Sequence, residues 1–534
     1  MGIPSYYKRL IDRFPKLVQK GTVKSDALLM DFNCLIYQCV RSDKLPTFTM
    51  DTRDDWERAL IEAVKKYTVK VWETAGRPAT VLIAVDGVVP MAKIRQQRLR
   101  RFKSRWLAAR ELEVGVRKPG EEVWDTNSIT PGTEFMEKLG NGLRVLAAAR
   151  GWSVSCAAEP GEGEQKVMAW VRAEAARLVG KSVIVYGLDA DLIVLSLLSI
   201  ARNVPEVGSW KLLRELAEFQ GGRPDGGVFA TLDVYELLKL LVPPAMTPAE
   251  YMMEYVCGMS FLGNDFLPHS LSVKMKEGGH DLLCMTLSEL HKNGKRLVVG
   301  DKVVLETVLE LVRGWAAHEE EWIVENFTQK YKGRPMPPRN ERERLMSSVE
   351  RLPLDWKEES AIWSLEKGLV AGWRGIYTNK WLYGAGAEQT VREYLRGLQW
   401  ILDYYLGKPV SYTWYFPWNV PPLWSDLAGE LERGATVAAT PVTLPVAPEE
   451  QLAMVLPMDS WWLVRDLRLR ALPGKLPAYW PSQFRFFSVG RRWLWECETE
   501  LPILTPERLG TVNDNGGGTG NANNETRGCI INNR

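Results

Sequence analysis

Short apolar runs that end in an acid recur along the chain. Ala27–Asp31 reads ALLMD and is followed by Phe32-Asn33; Thr80–Gly87 reads TVLIAVDG; Ser182–Tyr186 reads SVIVY and leads into GLDAD. Such runs, β-forming and without polar alternation, are the pattern of strands buried on both faces. Between them the apolar positions change to helical spacing. Residues 4–13 form a helix with Pro4 near its start and Tyr6, Tyr7 and Leu10 on one face; Leu35–Val40 opens another, and Trp56–Trp72, Glu134–Ala149 and Tyr251–Leu262 follow the same period. Ser153–Ala157 is a further short strand. Strands alternating with helices predict an α/β fold with a parallel-rich central sheet flanked by helices. Residues 201–250 read as mostly helical, with a GGRPDGG loop at Gly221–Gly227.

The pattern changes near residue 296. Residues 296–364 are charged and Pro-containing in their second half and read as a helical connection. Residues 365–510 return to aromatic-rich helices, interrupted at Ser411–Asp426 by the loop SYTWYFPWNVPPLWSD and followed from Pro448 by a compact region. Residues 511–534 are rich in Gly and Asn and read as a disordered tail. The expected units are therefore an α/β core at 1–295, the connection at 296–364, a mainly helical second region at 365–510, and the tail.

Composition narrows the class only a little. With 534 residues, 46% of them hydrophobic and 25% charged, the chain has the make-up of a globular protein with a large core. The seven Cys are scattered without a C-x-x-C pair, and the four His are irregularly spaced, so neither a disulfide framework nor a zinc motif is indicated. No run of 18 apolar residues occurs and the N-terminus lacks a secretory apolar segment. The expectation is a soluble intracellular protein, cytoplasmic rather than nuclear because no separate basic targeting run stands out. The 22 Trp are weighted toward the second half and serve either as core or as stacking surfaces.

Net charge is only +2, yet charge is locally segregated. The stretch MAKIRQQRLRRFKSRWLAARELE at 91–113 carries eight Lys or Arg between Lys93 and Arg110 and no acid among them. Helical spacing aligns Lys93, Gln97 and Arg100 or Arg101 on one face. A solvated basic helix is the plain alternative, but eight cations without an i+4 acid suit a polyanion better. The acids that follow strands or sit in constrained turns are Asp31, Asp86, Glu162, Glu164, Asp189, Asp191 and Asp265. Any one of them serves equally well as an N-cap or a turn residue. Parallel sheets, however, gather ligands outside the carboxyl ends of their strands. Two carboxylates 4 Å apart there repel by roughly 4 kcal/mol at an effective dielectric near 20. A cluster of seven therefore needs protons or cations, and hard divalent ions, Mg²⁺ or Mn²⁺ and as a pair, fit oxygen ligands. Acids for metal beside bases for phosphate predict a metal-dependent nuclease or phosphotransferase, and no P-loop argues for nucleotide-driven chemistry.

Several stretches then resemble one family closely, the Xrn-type 5′→3′ exoribonucleases. They are MGIPSYYKRL, LLMDFNCLIYQC, AVDGVVPMAKIRQQRLRRFKS, EPGEGEQK, VYGLDADLIVLSL and FLGNDFLPHSLSV, followed by REYLRGLQWILDYY, SYTWYFPWNVPPLWSDL and EEQLAMVLP. They occur in family order over most of residues 1–510, and the chain looks like a minimal form without long C-terminal extensions. The resemblance implies a PIN/FEN-like nuclease core completed by the second region, acting as a monomer on single-stranded RNA with a 5′-monophosphate. It implies metal ligation and catalysis by the seven acids and a 5′-phosphate pocket formed by Lys93, Gln97, Arg100 and Arg101. It also implies base stacking on Tyr37, which stands where the family has His, and on Trp414 of Ser411-Tyr412-Thr413-Trp414. Glu159 has no counterpart in that metal set. A DNA exonuclease or flap nuclease of the same fold is the nearest rival, and a catalytically silent RNA-binding protein a more distant one.

Overall fold

Alternate residues of the short apolar strands feed two different cores. Leu29, Leu82, Val183 and Val185 join one cluster, while Leu28, Met30, Val81, Ile83 and Ile184 join another on the opposite side. With both faces covered there is no polar face, which is why these strands read as unbroken apolar runs. The computed structural model describes residues 5–215, 228–333, 337–437 and 439–514. Its strands are β1 (Val18–Lys20), β2 (Ala27–Asp31), β3 (Thr80–Ala84), β4 (Ser153–Ser155), β5 (Ser182–Tyr186), β6 (Ser209–Glu215) and β7 (Phe229–Asp233). They form one sheet in the order β1-β7-β6-β5-β2-β3-β4. Strands β6, β5, β2, β3 and β4 run parallel, and β7 and β1 close one edge antiparallel.

The chain winds from β2 through β3 to β4 on one side, then returns to β5 on the other side of β2. The order reverses at β2, and a crevice opens at the carboxyl ends of strands flanking such a reversal. Around the sheet lie α1 (Tyr6–Arg13), α2 (Asn33–Val40), α3 (Arg53–Thr74), α4 (Met91–Glu113), α5 (Glu134–Arg150), α6 (Gly163–Ala173) and α7 (Asp191–Arg202).

The mostly helical reading of 201–250 is corrected by β6 and β7. In β6 the sequence SWKLLRE sends Trp210 and Leu212 into one core and Leu213 into the other. The adjacent Leu pair hides that alternation in the sequence. Helices Val234–Leu241 and Pro248–Met259 follow β7. The Gly221–Gly227 loop lies outside the described residues, as do residues 515–534 of the tail. A helix, Pro506–Asp514, runs past the tail boundary placed at 510.

Residues 296–364 do more than connect. The helix Leu305–Ala316 packs on Trp424–Glu432 and buries Val308, Leu311, Val312 and Trp315 in the same cluster as Trp424. The Trp424 indole N–H donates to Ser272 Oγ at 2.9 Å, and its backbone N–H donates to Glu319 Oε1 at 2.7 Å. Both halves of the chain thus share one core. Residues 452–456 and 463–472 instead pack on α4, against Met91, Ile94, Leu99 and Phe102. Many of the Trp are core residues, Trp210, Trp315, Trp400 and Trp424 among them. Among the described residues no helix is long and apolar enough to cross a membrane.

Candidate active site

The expected acids collect at the carboxyl edge of the sheet. Asp31 is the last residue of β2 and pairs in register with Ala84, so Asp86 stands two residues past the end of β3. Glu162 occupies the N-cap position of α6 and Glu164 lies in its first turn, where the helix dipole favours negative charge. Asp189 follows β5, and Asp191 opens α7. The approach is close enough to require glycine: a Cβ on Gly163 would lie 2.5 Å from Asp31 Oδ1 and 2.8 Å from Ala84 O. The Gly163 amide instead donates to Asp86 Oδ1 at 2.6 Å, and Asn33 Nδ2 donates to Asp86 Oδ2 at 2.8 Å. Asp265 arrives from the far side on a tight turn. Gly263 holds φ 85° there, and Asn264 Oδ1 accepts from the amides of Phe266 and Leu267, both at 2.9 Å.

Asp31, Asp86, Glu162, Glu164 and Asp189 line one cavity of about 880 Å³. Asp191, 1% exposed, and Asp265 stand behind them. Burial and mutual repulsion show in the acidities of four of them. Burial, then Asp86, Asp189 and Glu162, raise Asp31 well above the ordinary carboxyl range. Burial, then Glu162 and Asp191, do the same to Glu164. Burial raises Asp86 to about 6, and burial with the Asp265 charge raises Asp191 to about 7.

The four residues read as a phosphate pocket, Lys93, Gln97, Arg100 and Arg101, line the same cavity. Lys93 has a different employment from the one expected. It is buried, and its ammonium contacts Glu162 Oε1 at 2.6 Å and Asp265 Oδ2 at 2.7 Å, while Gln96 Nε2 donates to Asp265 Oδ1 at 3.0 Å. Lys93 thus offsets the acid cluster. Among the described residues, no group of three or more His, Cys, Asp or Glu side chains stands so as to hold a metal ion. Arg101 NH1 donates to Asn127 Oδ1 at 3.0 Å, and Arg100 has neither an ion pair nor a side-chain hydrogen bond among the described residues.

Much of the rest of the basic helix is employed within the protein. Arg98 is 1% exposed and donates to the backbone carbonyls of Pro502, Met454 and Tyr479. Arg95 donates to Asn419 Oδ1 at 2.6 Å, and Arg105 Nε to Asp459 Oδ2 at 2.8 Å. A period of 3.6 spreads eight cations around the helix, and α4 is embedded, so only one face reaches the cavity.

Residues 1–213 match the family described as XRN 5′-3′ exonuclease N-terminus, and residues 372–515 match the Xrn1 helical domain. The chain belongs to the Xrn family. It is 26% identical to the 5′-3′ exoribonuclease 2 homolog of Drosophila melanogaster, with 95% of this chain and 70% of the relative covered. It is 27% identical to the 5′-3′ exoribonuclease 1 of Homo sapiens, covering 95% and 34%. Against the 5′-3′ exoribonuclease 2 of Cryptococcus neoformans var. neoformans (strain JEC21) it is 28% identical, over 60% and 36%. The chain therefore spans from about a third to 70% of the length of these relatives.

Two aromatic positions separate in this Xrn chain. Tyr37 is half-buried and lines the cavity. Trp414, expected to stack on bases, is in the core instead: it is 6% exposed, its ring lies 5.1 Å from that of Trp400, and its Nε1 donates to Glu393 Oε2 at 3.2 Å. Tyr412, two residues earlier, is the aromatic of that loop within electrostatic reach of Glu162. Burial, then that charge, raises its hydroxyl.

Tyr404 went unseen in the sequence. It lies in the helix Ala387–Tyr405, and its hydroxyl donates to Glu162 Oε2 at 2.6 Å. Nothing in DYYLG distinguishes such a Tyr from a core one. Asn33, two residues after the first strand-end acid, carried a readable signal as a short polar group near Asp31 in the sequence. Tyr404→Phe keeps the ring and removes the hydrogen bond. On the expectation that Glu162 is a metal ligand, it should cut turnover in Mg²⁺ by about 10- to 100-fold, the usual cost of losing a partner of a ligating group, with folding retained. Wild-type turnover across a metal titration would show that this bond is only structural.

Proposed function

We propose that this Xrn protein is a 5′→3′ exoribonuclease that processively converts single-stranded, 5′-monophosphorylated RNA to 5′-mononucleotides. The observation carrying this reading is one cavity with two chemically opposed walls, carboxylates at the sheet edge and the cations of α4 across from them. The donor set is all oxygen, and Asp191 Oδ1 is buried without a hydrogen-bond partner among the described residues. Both features suit a hard divalent cation, Mg²⁺ or Mn²⁺. Asp31, Asp86, Glu162, Glu164, Asp189, Asp191 and Asp265 would hold such ions, two in number on this reading. A pair of bound ions would supply an activated water and would stabilise the leaving oxygen of a phosphodiester.

The protein's own residues do the positioning. Arg100 and Arg101 hold the terminal phosphate by charge-assisted hydrogen bonds. Tyr37 stacks on the leading bases, worth roughly 1–3 kcal/mol each and indifferent to sequence, as a processive enzyme requires. Asn33 and the Gly163 amide fix Asp86, Tyr404 fixes Glu162, and Lys93 balances the cluster's charge. The chain is proposed to act as a monomer in the cytoplasm. Incubation of 5′-monophosphorylated RNA with Mg²⁺ should release mononucleotides, and EDTA should stop it. Intact RNA in Mg²⁺ would refute the reading, and equal digestion of single-stranded DNA would replace it with a general exonuclease.

A further inference from the structure

A second cavity, of about 970 Å³, adjoins the first along α4. The two meet at the same wall: Arg100, Ser104 and Leu188 line both, and Asp265 and Gln96 turn toward the second one. Four cations converge on it without carboxylate partners among the described residues. Lys103 Nζ donates only to backbone carbonyls, Trp495 O at 2.9 Å and Cys497 O at 2.7 Å, and Lys274 Nζ only to Gly490 O at 3.1 Å. Arg100 and Arg491 have neither a side-chain hydrogen bond nor an ion pair. Five carboxylates share the wall: Asp265 is held by Lys93 and Gln96, Glu496 by the amides of Arg492 and Trp493 at 2.8 and 3.0 Å, Glu498 lies 3.8 Å from Arg95, and Glu277 and Glu350 complete the set, so the cations still outnumber the acids. Burial presses Lys274 down to about 8, opposed by the nearby charge of Glu277 and assisted to a smaller degree by that of Arg491. Crowded cations of this kind are relieved by an anion.

The cavity also offers an aromatic face. Trp495 lines it and is 52% exposed, an unusual position for a large apolar side chain with no core to join. The volume lies in the range of small-molecule sites. A phosphate dianion for the cations and a flat heterocycle for the indole together describe a nucleoside 5′-monophosphate.

We propose that this second cavity binds the nucleoside 5′-monophosphate product and carries it out past Arg100 and Leu188 while the shortened RNA keeps the first cavity. The assignment rests on the exoribonuclease reading for the identity of its ligand. It gives a physical reason for processivity, because product leaving through the entry cavity would have to pass the strand that occupies it.

The test uses the full chain and AMP. Calorimetric titration should show two AMP sites in the wild type. Arg491→Glu should weaken one of them about tenfold or more while Arg101→Ala weakens the other, each tenfold step being 1.4 kcal/mol. Trp495→Ala, at an exposed position where folding is not at stake, should weaken the same site as Arg491→Glu, and adenosine without phosphate should not compete there. Single-turnover cleavage of RNA should be unchanged in both variants, while inhibition of multiple turnover by added AMP shifts. AMP binding identical in wild type, Arg491→Glu and Trp495→Ala would overturn the site and leave the exoribonuclease reading standing. A parallel loss of RNA affinity and single-turnover rate would overturn it in favour of an RNA-backbone path. AMP bound through Arg491 by a chain that releases no mononucleotide would overturn the exit role.

Discussion

With Asp189 and Asp191 both replaced by Ala, mononucleotide release from 5′-monophosphorylated RNA should fall by about 10³-fold or more, while RNA binding survives. The magnitude follows from the role: groups that stabilise charge developing in a transition state are worth roughly 3–4 kcal/mol each in a water-poor site, and each 1.36 kcal/mol is a factor of ten in rate. Binding survives because Arg100, Arg101 and Tyr37 belong to α4 and α2 and do not rest on the loop after β5. Turnover within tenfold of wild type in the double variant would remove these acids from the chemistry.

The same cluster predicts an opposite effect on stability. Asp191 is buried, and burial with Asp265 lifts its carboxyl to about 7. A raised acid contributes its full stability below the unfolded value near 4 and loses it as pH rises through the folded one. In EDTA at pH 8, Asp191→Asn should therefore melt above wild type, and the gain should be clearly smaller at pH 5, where the folded wild-type carboxyl is protonated and only the unfolded one is still ionised. Thermal melts at the two pH values read this directly; a variant that melts lower at both would mean that Asp191 is stabilising as a charge.

Replacing Arg100 and Arg101 together by Ala should erase the preference for 5′-monophosphate over 5′-hydroxyl RNA. Hydrogen bonds to a charged group contribute about 1.5–3 kcal/mol each, so the pair accounts for a selectivity on the order of 10² or more. Burial lowers Arg101 to about 10, which leaves the guanidinium charged at neutral pH. Its NH1 is held by Asn127 Oδ1, so it is aimed before substrate arrives. The ratio of kcat/KM for the two ends decides the matter. Digestion of 5′-hydroxyl RNA should be little altered, and an unchanged ratio would remove the phosphate pocket from these two residues.

The sequence by itself determined the three strands that carry acids, because a strand covered on both faces must be apolar throughout and its first polar residue marks where it leaves the sheet. Asp31, Asp86 and the Asp189/Asp191 pair were legible for that reason, and Ser182–Tyr186 formed with the bounds expected. The face of α4 bearing Lys93, Gln97, Arg100 and Arg101 was legible from helical spacing. What Lys93 does on that face was not, because its partners Glu162 and Asp265 lie 69 and 172 residues away in the chain. Only the tertiary structure decided that Arg98 serves three carbonyls rather than phosphate, that Trp414 packs on Trp400 while Tyr412 nears the acids, and that Tyr404 holds Glu162. In each case the local pattern is the same whether the side chain faces core, carbonyl or substrate. The choice is made by which distant segment packs against it, and spacing along the chain does not encode that.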